Sequence, residues 1–111
     1  MCAAIRKDEC TVTSYTANQW QLTNTVAYKC NNQVTLSAKC TLKSTWPTTT
    51  IGAQMLVVNG AVAVNGSHML MAVYGTKIFP AWIIGQSVFL KNDTEIPVNS
   101  DVYISGTYPC T

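Results

Sequence analysis

Short runs of alternating apolar and polar residues are the main pattern along this chain. They cover Thr11–Tyr15, Gln33–Leu36 and Val102–Ile104, and stretches containing Asn, Gly, Ser or Pro separate them. A period of two places successive side chains on opposite faces of a strand, and the separating residues are common in turns. We find no convincing helical segment, because uninterrupted stretches of Ala, Leu, Glu and Lys are missing. The pattern predicts an all-β fold of short strands and tight turns.

Segments in the second half of the chain give sharper predictions. Apolar residues flank Asn59-Gly60, the favoured pair for a two-residue type I′ turn, and predict a hairpin over Gln54–Val64. The apolar run His68–Tyr74 predicts a strand buried on both faces. The stretch Lys77–Ile84 contains a proline, which lacks the N–H of a ladder hydrogen bond, and this predicts an edge strand or a bend.

Length and charge limit the possible functions. A chain of 111 residues supports one core and one domain, residues 1–111. Only 11% of the residues are charged against 48% that are hydrophobic, which suits a protein packed against partners or outside the cell. The net charge of +2 is spread thinly and gives nucleic-acid binding little support. Neither a transmembrane helix nor a signal peptide is predicted, because no apolar stretch is long enough for either.

Cysteine and histidine are the residues with candidate chemistry. Five cysteines in a short chain predict disulfides in an oxidising compartment or thiolate metal ligands in a reducing one. The spacing of Cys30 and Cys40 fits the two ends of a hairpin, so these two are disulfide candidates. His68, the single histidine, is either a metal ligand or an ordinary hydrogen-bonded residue of a strand or turn. With one histidine, few acids and no nucleophile motif, the chain is predicted not to be an enzyme.

An internal similarity relates two parts of the chain. Residues 51–71 align with residues 84–104 at an offset of 33, with four identities in 21 positions. Apolar positions coincide, and Asn59-Gly60 coincides with Asn92-Asp93. A repeated β unit has to repeat its turns as well as its core, so the alignment predicts two repeat units with these four residues as structural turn residues.

The two units, Ile51–His68 and Ile84–Asp101, resemble the repeats of the proline-alanine-alanine-arginine (PAAR) family. Those repeats consist of a glycine, a polar pair, an apolar triplet, Asn-Gly, the namesake tetrapeptide and Gly-Asp. The opening Ala3–Asp8 is also similar to the start of that family, and the similarity spans about half of the chain. Departures occur where Val62–Asn65 replaces the tetrapeptide and where Asn92-Asp93 replaces Asn-Gly.

The resemblance implies a fold and a function. PAAR proteins are small conical β folds that cap the trimeric β-helical spike of contractile phage tails and type VI secretion systems. The implied fold is therefore conical and repeat-built, and the implied role is a spike tip in a virion tail or a secreted injection apparatus, with a trimeric spike protein as partner. Family members often bind zinc near the tip, which implies zinc held by Cys10, His68, Cys110 and one of Cys30 or Cys40.

Two alternatives remain open. The first is another phage tail or decoration protein. The second is an extracellular, disulfide-stabilised binding domain, either lectin-like or protein-binding, in which tryptophan and tyrosine side chains stack on a ligand instead of filling the core. Bound zinc with free thiols favours the spike tip, whereas two intrachain disulfides and glycan affinity favour the binding domain.

Overall fold

The structure is a computed structural model that describes residues 8–111. These residues form antiparallel β-strands and contain no helix, which confirms the all-β prediction. Several strands are longer than the sequence pattern suggested. The strands are β1 (Asp8–Glu9), β2 (Thr11–Ser14), β3 (Trp20–Cys30), β4 (Gln33–Leu42), β5 (Thr49–Asn59), β6 (His68–Tyr74), β7 (Lys77–Ile84), β8 (Ser87–Asn92) and β9 (Asp101–Pro109).

One sheet contains all of these strands and curls into a nearly closed, barrel-like wall. The strand order is β1-β3-β4-β9-β6-β7-β8-β5-β2. The first and last strands of this order are consecutive in the chain, separated only by Cys10. Because β1 pairs with β3 and β2 pairs with β5, the beginning of the described chain lies between the two edges of the sheet.

The interior of the barrel alternates large and small side chains from strand to strand. Across β4, β9, β6 and β7, one row of paired, buried residues reads Ala38, Ile104, Ala72 and Phe79. A small barrel has room for few large side chains at one level, so an alanine beside each large residue lets the row close. The alternation of sizes from strand to strand thus fills the interior of the barrel.

Three tight hairpin turns connect neighbouring strands. Asn31 and Asn32, between β3 and β4, both have positive φ angles, as a type I′ turn requires. Gly75 and Gly85 occupy the first central positions of the β6–β7 and β7–β8 turns with φ of 60° and 59°, and the next residue in each has no positive φ. This is the type II′ pattern, which glycine adopts without steric cost.

The predicted hairpin over Gln54–Val64 is wrong. β5 already has β2 and β8 as its two neighbours, so no edge is free for the residues that follow it. Asn59 lacks the positive φ that a type I′ turn requires at its first central position, although Gly60 has φ of 108°. After Gly60 the chain leaves the sheet, and Ala63 forms an isolated bridge with Cys110.

Two further strand predictions need correction. His68–Tyr74 forms β6 as predicted, but only one of its faces is buried, because Met69 is 71% exposed. Lys77–Ile84 forms β7, which is neither an edge strand nor a bend, since it pairs with β6 and β8. Pro80 is tolerated there because the β7–β8 ladder starts one residue later, at Ala81.

The aligned sequence units occupy different structural settings. Gly52 lies inside β5, whereas its counterpart Gly85 lies in the β7–β8 turn. A Cβ atom at Gly52 would lie 2.3 Å from the indole of Trp82, so the glycine allows this ring to pack flat on the outside of the barrel. Asn92 is the last residue of β8, and Asp93 lies in the bend that follows. The two residues therefore mark the end of a strand, but they form no hairpin turn.

Candidate functional site

Two free thiols, those of Cys10 and Cys110, lie at one end of the barrel. We call this end the cysteine end; it also contains Lys29 and Tyr108. Cys10 sits between β1 and β2, and its amide donates to the carbonyl of Ala27. Cys110 follows β9, is 4% exposed and belongs to the core, and Cys10 packs against that core. The two ends of the described chain therefore bring these cysteines to the same mouth of the barrel.

The groups at the cysteine end shift one another's pKa. Burial raises the pKa of Cys10, the Cys110 thiol raises it further, and the Lys29 ammonium lowers it. Burial also raises the pKa of Cys110, and Lys29 again opposes the shift. Tyr108 has its pKa raised by burial and by both thiols, and its buried hydroxyl has no hydrogen-bond partner within the described residues. The thiols are consequently protonated at neutral pH.

The structure brings together only part of the predicted zinc site. Cys10 and Cys110 are neighbours, but Cys40 pairs with Val102, eight residues before Cys110 and therefore about 26 Å away along the strand. The Nε2 atom of His68 donates to the carbonyl oxygen of Val64. Within residues 8–111 no three His, Cys, Asp or Glu side chains form a group that could hold a metal ion.

Of the two disulfide candidates, Cys30 is disulfide-bonded but Cys40 is a free thiol, so a disulfide between them is wrong. Cys30 adjoins the β3–β4 turn and pairs with Gln33, while Cys40 lies seven residues farther along β4, about 23 Å away. Cys40 is a fully buried free thiol, and burial raises its pKa to about 12. It packs as a small apolar residue of the core.

The opposite mouth, which we call the tryptophan end, is closed by Trp20, Trp46, Asn92 and Ile96. The two indoles meet edge to face with ring centroids 5.3 Å apart, and Trp46 forms an isolated bridge with Ile96. Asn92 is fully buried and accepts a hydrogen bond of 2.9 Å from Trp46 Nε1. Its amide group donates to the carbonyls of Thr94 and Pro47. Sequence reasoning identified Asn92 only as a turn residue after an apolar run and missed this role.

The outer surface of β6 and β7 exposes a set of apolar side chains, which we call the apolar face. Met69 pairs with Trp82, Met71 with Pro80, and Val73 with Ile78. Trp82 in turn stacks on Phe89 of β8, with centroids 5.9 Å apart. The strongly exposed members of the face are Met69 at 71%, Met71 at 46%, Ile78 at 69% and Ile84 at 48%.

Charge is sparse on this side of the barrel, although the exposed Lys91 lies on β8 beside β7. Between Ser44 and Leu90 the only residue with a formal charge is Lys77. Lys39 on β4 and Asp101 on β9 form an ion pair, with their Nζ and Oδ2 atoms 3.8 Å apart. Large exposed apolar areas without charge are typical of surfaces that contact other proteins. The alternation in Met69-Leu70-Met71-Ala72 could have indicated this exposed apolar surface, because the two methionines lie on the face of the strand opposite to the core.

A cleft of about 750 Å³ opens at the seam between β2 and β3. The seam exists because β1 follows β3 only as far as Glu9, after which β2 turns to β5. Val12 and Leu22 line the cleft and pack against the core, and the exposed Lys43 lies at its rim. A cleft lined by apolar and polar side chains and a lysine is suited to a ligand or a peptide segment.

Fold and site together define a small, all-β, barrel-like domain with an apolar outer face and a thiol pair at one end. No protein-family model, curated protein or solved structure matches the chain. Among residues 8–111 there is no helix long and apolar enough to cross a membrane.

Proposed function

We propose that this protein is a structural subunit of a larger particle and that the apolar face docks it onto its neighbour. The observation that carries the proposal is the exposure of Met69, Met71, Ile78 and Ile84 on adjacent strands with a single formal charge between Ser44 and Leu90. Leaving such a surface in water is unfavourable, and burying it against a partner removes that cost.

The resemblance to PAAR repeats gives the proposal its specific form: a spike tip in a virion tail or injection apparatus, seated on a trimeric β-helical spike. Two features support a mechanical role. The barrel buries a continuous core, and the strand pair at its beginning spans both edges of the sheet. A tip of this kind needs a rigid body and an uncharged docking surface, and no catalytic group is required for it.

We expect the protein to form a complex with the trimeric β-helical spike protein of the same source, at one chain per trimer. Co-expression followed by size-exclusion chromatography with light scattering measures this. The double substitution Met69→Lys and Ile78→Lys is expected to weaken the complex by at least about tenfold, because two ammonium groups would lose their hydration in the contact.

Ser37→Lys on the exposed surface of β4 is the matched control and should leave the complex intact. Circular dichroism establishes that each variant is folded. A folded wild-type chain that forms no complex with the spike contradicts the spike-tip role. If the wild-type chain instead dimerises and Met69→Lys abolishes the dimer, the apolar face is a contact between two copies of this chain.

The seam cleft supports a second candidate, a binding domain that takes up a sugar or a peptide. In this case the ligand would lie against Val12 and Leu22 and contact the ammonium group of Lys43 at the rim. A glycan array and a peptide library probe the two ligand classes. We expect binding at the seam to fall several-fold in Lys43→Ser and to be unaffected by Met69→Lys. The absence of any binding partner in both libraries contradicts this candidate.

A further inference from the structure

Cys10 and Cys110 flank the same short segment of chain at the cysteine end. On one side, a Cβ atom built on Gly60 would lie 3.7 Å from the Cα of Cys10 and 3.8 Å from its Sγ. On the other side, Cys110 forms an antiparallel bridge with Ala63, and the amide of Thr111 donates to the carbonyl of Val62. Only two residues thus separate Gly60, the neighbour of Cys10, from Ala63, the neighbour of Cys110.

The strand pattern points both side chains inward. Cys110 lies an even number of residues from Val102, Ile104 and Tyr108, the buried residues of β9, so its side chain points in the same direction as theirs. It also belongs to the core. Cys10 lies two residues before Val12, so the two side chains point to the same face, and both pack against the core. The two thiols therefore face the same interior space, and the Cys110 thiol contributes to the raised pKa of Cys10.

The two thiols differ in their access to solvent. Cys10 is partly exposed and lines a crevice of about 290 Å³ together with Glu9, Val26 and Tyr28. Cys110 is 4% exposed. A disulfide reagent entering the crevice would therefore meet Cys10 first, and Cys110 lies behind it.

We propose that Cys10 and Cys110 are a redox-active dithiol that forms an intramolecular disulfide by exchange with a small disulfide such as oxidised glutathione. Cys10 loses its proton, its sulfur attacks one sulfur of the reagent, and one glutathione thiolate leaves. Cys110 then loses its proton and attacks the sulfur of Cys10, and the second glutathione thiolate leaves. Those two thiolates take up the two protons, so the protein dithiol is oxidised and glutathione disulfide is reduced to two glutathione molecules.

The exchange has a defined pH dependence and a mechanical consequence. The thiolate is the nucleophile, and because burial raises the pKa of Cys10, the rate should rise by up to about tenfold per pH unit above neutrality. The cross-link ties the start of the described chain to its end and closes nearly the whole chain into a loop. Closure of so long a loop constrains the unfolded chain strongly and should raise the Tm by about 10 °C or more.

The experiment treats the folded full-length chain with oxidised glutathione at pH 8, followed by peptide mapping without reduction and by intact mass. We expect a linked Cys10–Cys110 peptide in the wild type. Cys110→Ser should stop at a mixed disulfide of Cys10 with glutathione, and Cys10→Ser should give neither product. Cys40→Ser is the matched control, because Cys40 is buried far from this end, and it should cross-link as the wild type does.

A mixed disulfide that persists on Cys10 in the folded wild type, with no linked peptide, overturns the proposal. So does a linked peptide that appears only after unfolding in urea. The time course of the wild type decides the matter even if Cys110→Ser does not fold, because the mixed disulfide should appear before the cross-link and then decay. Since the readout is a covalent link within one chain, its outcome is independent of whether the apolar face binds a spike.

Discussion

Replacing Asn92 by alanine is expected to lower the free energy of unfolding by about 3 kcal/mol, a large fraction of the total stability of a small domain. The side chain is fully buried and uses both of its polar atoms. Its oxygen accepts from Trp46 Nε1 at 2.9 Å, and its nitrogen donates to the Thr94 carbonyl at 3.0 Å. Alanine would leave the indole N–H and that carbonyl buried without partners, which costs more than the hydrogen bonds themselves contribute.

Urea denaturation followed by tryptophan fluorescence measures this loss. Trp46→Phe removes the indole N–H but keeps most of the ring, so the double variant Asn92→Ala with Trp46→Phe should lose less than the sum of the two single losses, by about 1 kcal/mol. Asn65→Gly is the control: Asn65 is exposed with φ of 64°, a conformation that glycine adopts freely. A loss below about 1 kcal/mol for Asn92→Ala would mean that water reaches the tryptophan end and replaces the lost partners.

Strands whose sequence alternates between apolar and polar residues could be predicted, whereas the strands that pair with them could not. Thr11–Tyr15 and Gln33–Leu36 were recognised because alternation is a local property, and both lie in β-strands apart from the last residue of the first run. The failure at Asn59-Gly60 has the opposite cause. A favourable turn pair requires a free strand edge beside it, and β5 has none because β2, from far earlier in the chain, occupies that edge.

The candidate sites depend on long-range closure in the same way. Cys10 and Cys110 are 100 positions apart in the sequence, and nothing in their local surroundings indicates that they meet. They meet because β1 and β2 join the two edges of the sheet. Pro80 also shows why the sequence alone was insufficient. Proline excludes a hydrogen bond on one side of a strand, and only the strand register shows that β8 does not pair with β7 at residue 80.

The row of interior residues at the middle of the barrel gives the second large effect. Ile104 is fully buried and pairs with Ala38 on one side and Ala72 on the other. Ile104→Ala should lower the free energy of unfolding by about 3–4 kcal/mol, because it removes buried methylene and methyl groups and leaves a cavity. The hydrogen-bonded strands around this cavity cannot approach each other to close it. Ala72→Ile should also be destabilising, by about 1–3 kcal/mol, since it places two large side chains next to each other in the row.

Combining the two substitutions exchanges the large and the small residue and keeps the total volume of the row. If the alternation of sizes closes the barrel, the double variant should be more stable than the sum of the single losses predicts, by about 1 kcal/mol or more. Val102→Ala, on the same strand but with Cys40 as its partner, should show no such rescue by Ala72→Ile. Strictly additive losses for Ile104 and Ala72 would mean that each strand packs its interior independently, and the row would then have no part in closing the wall.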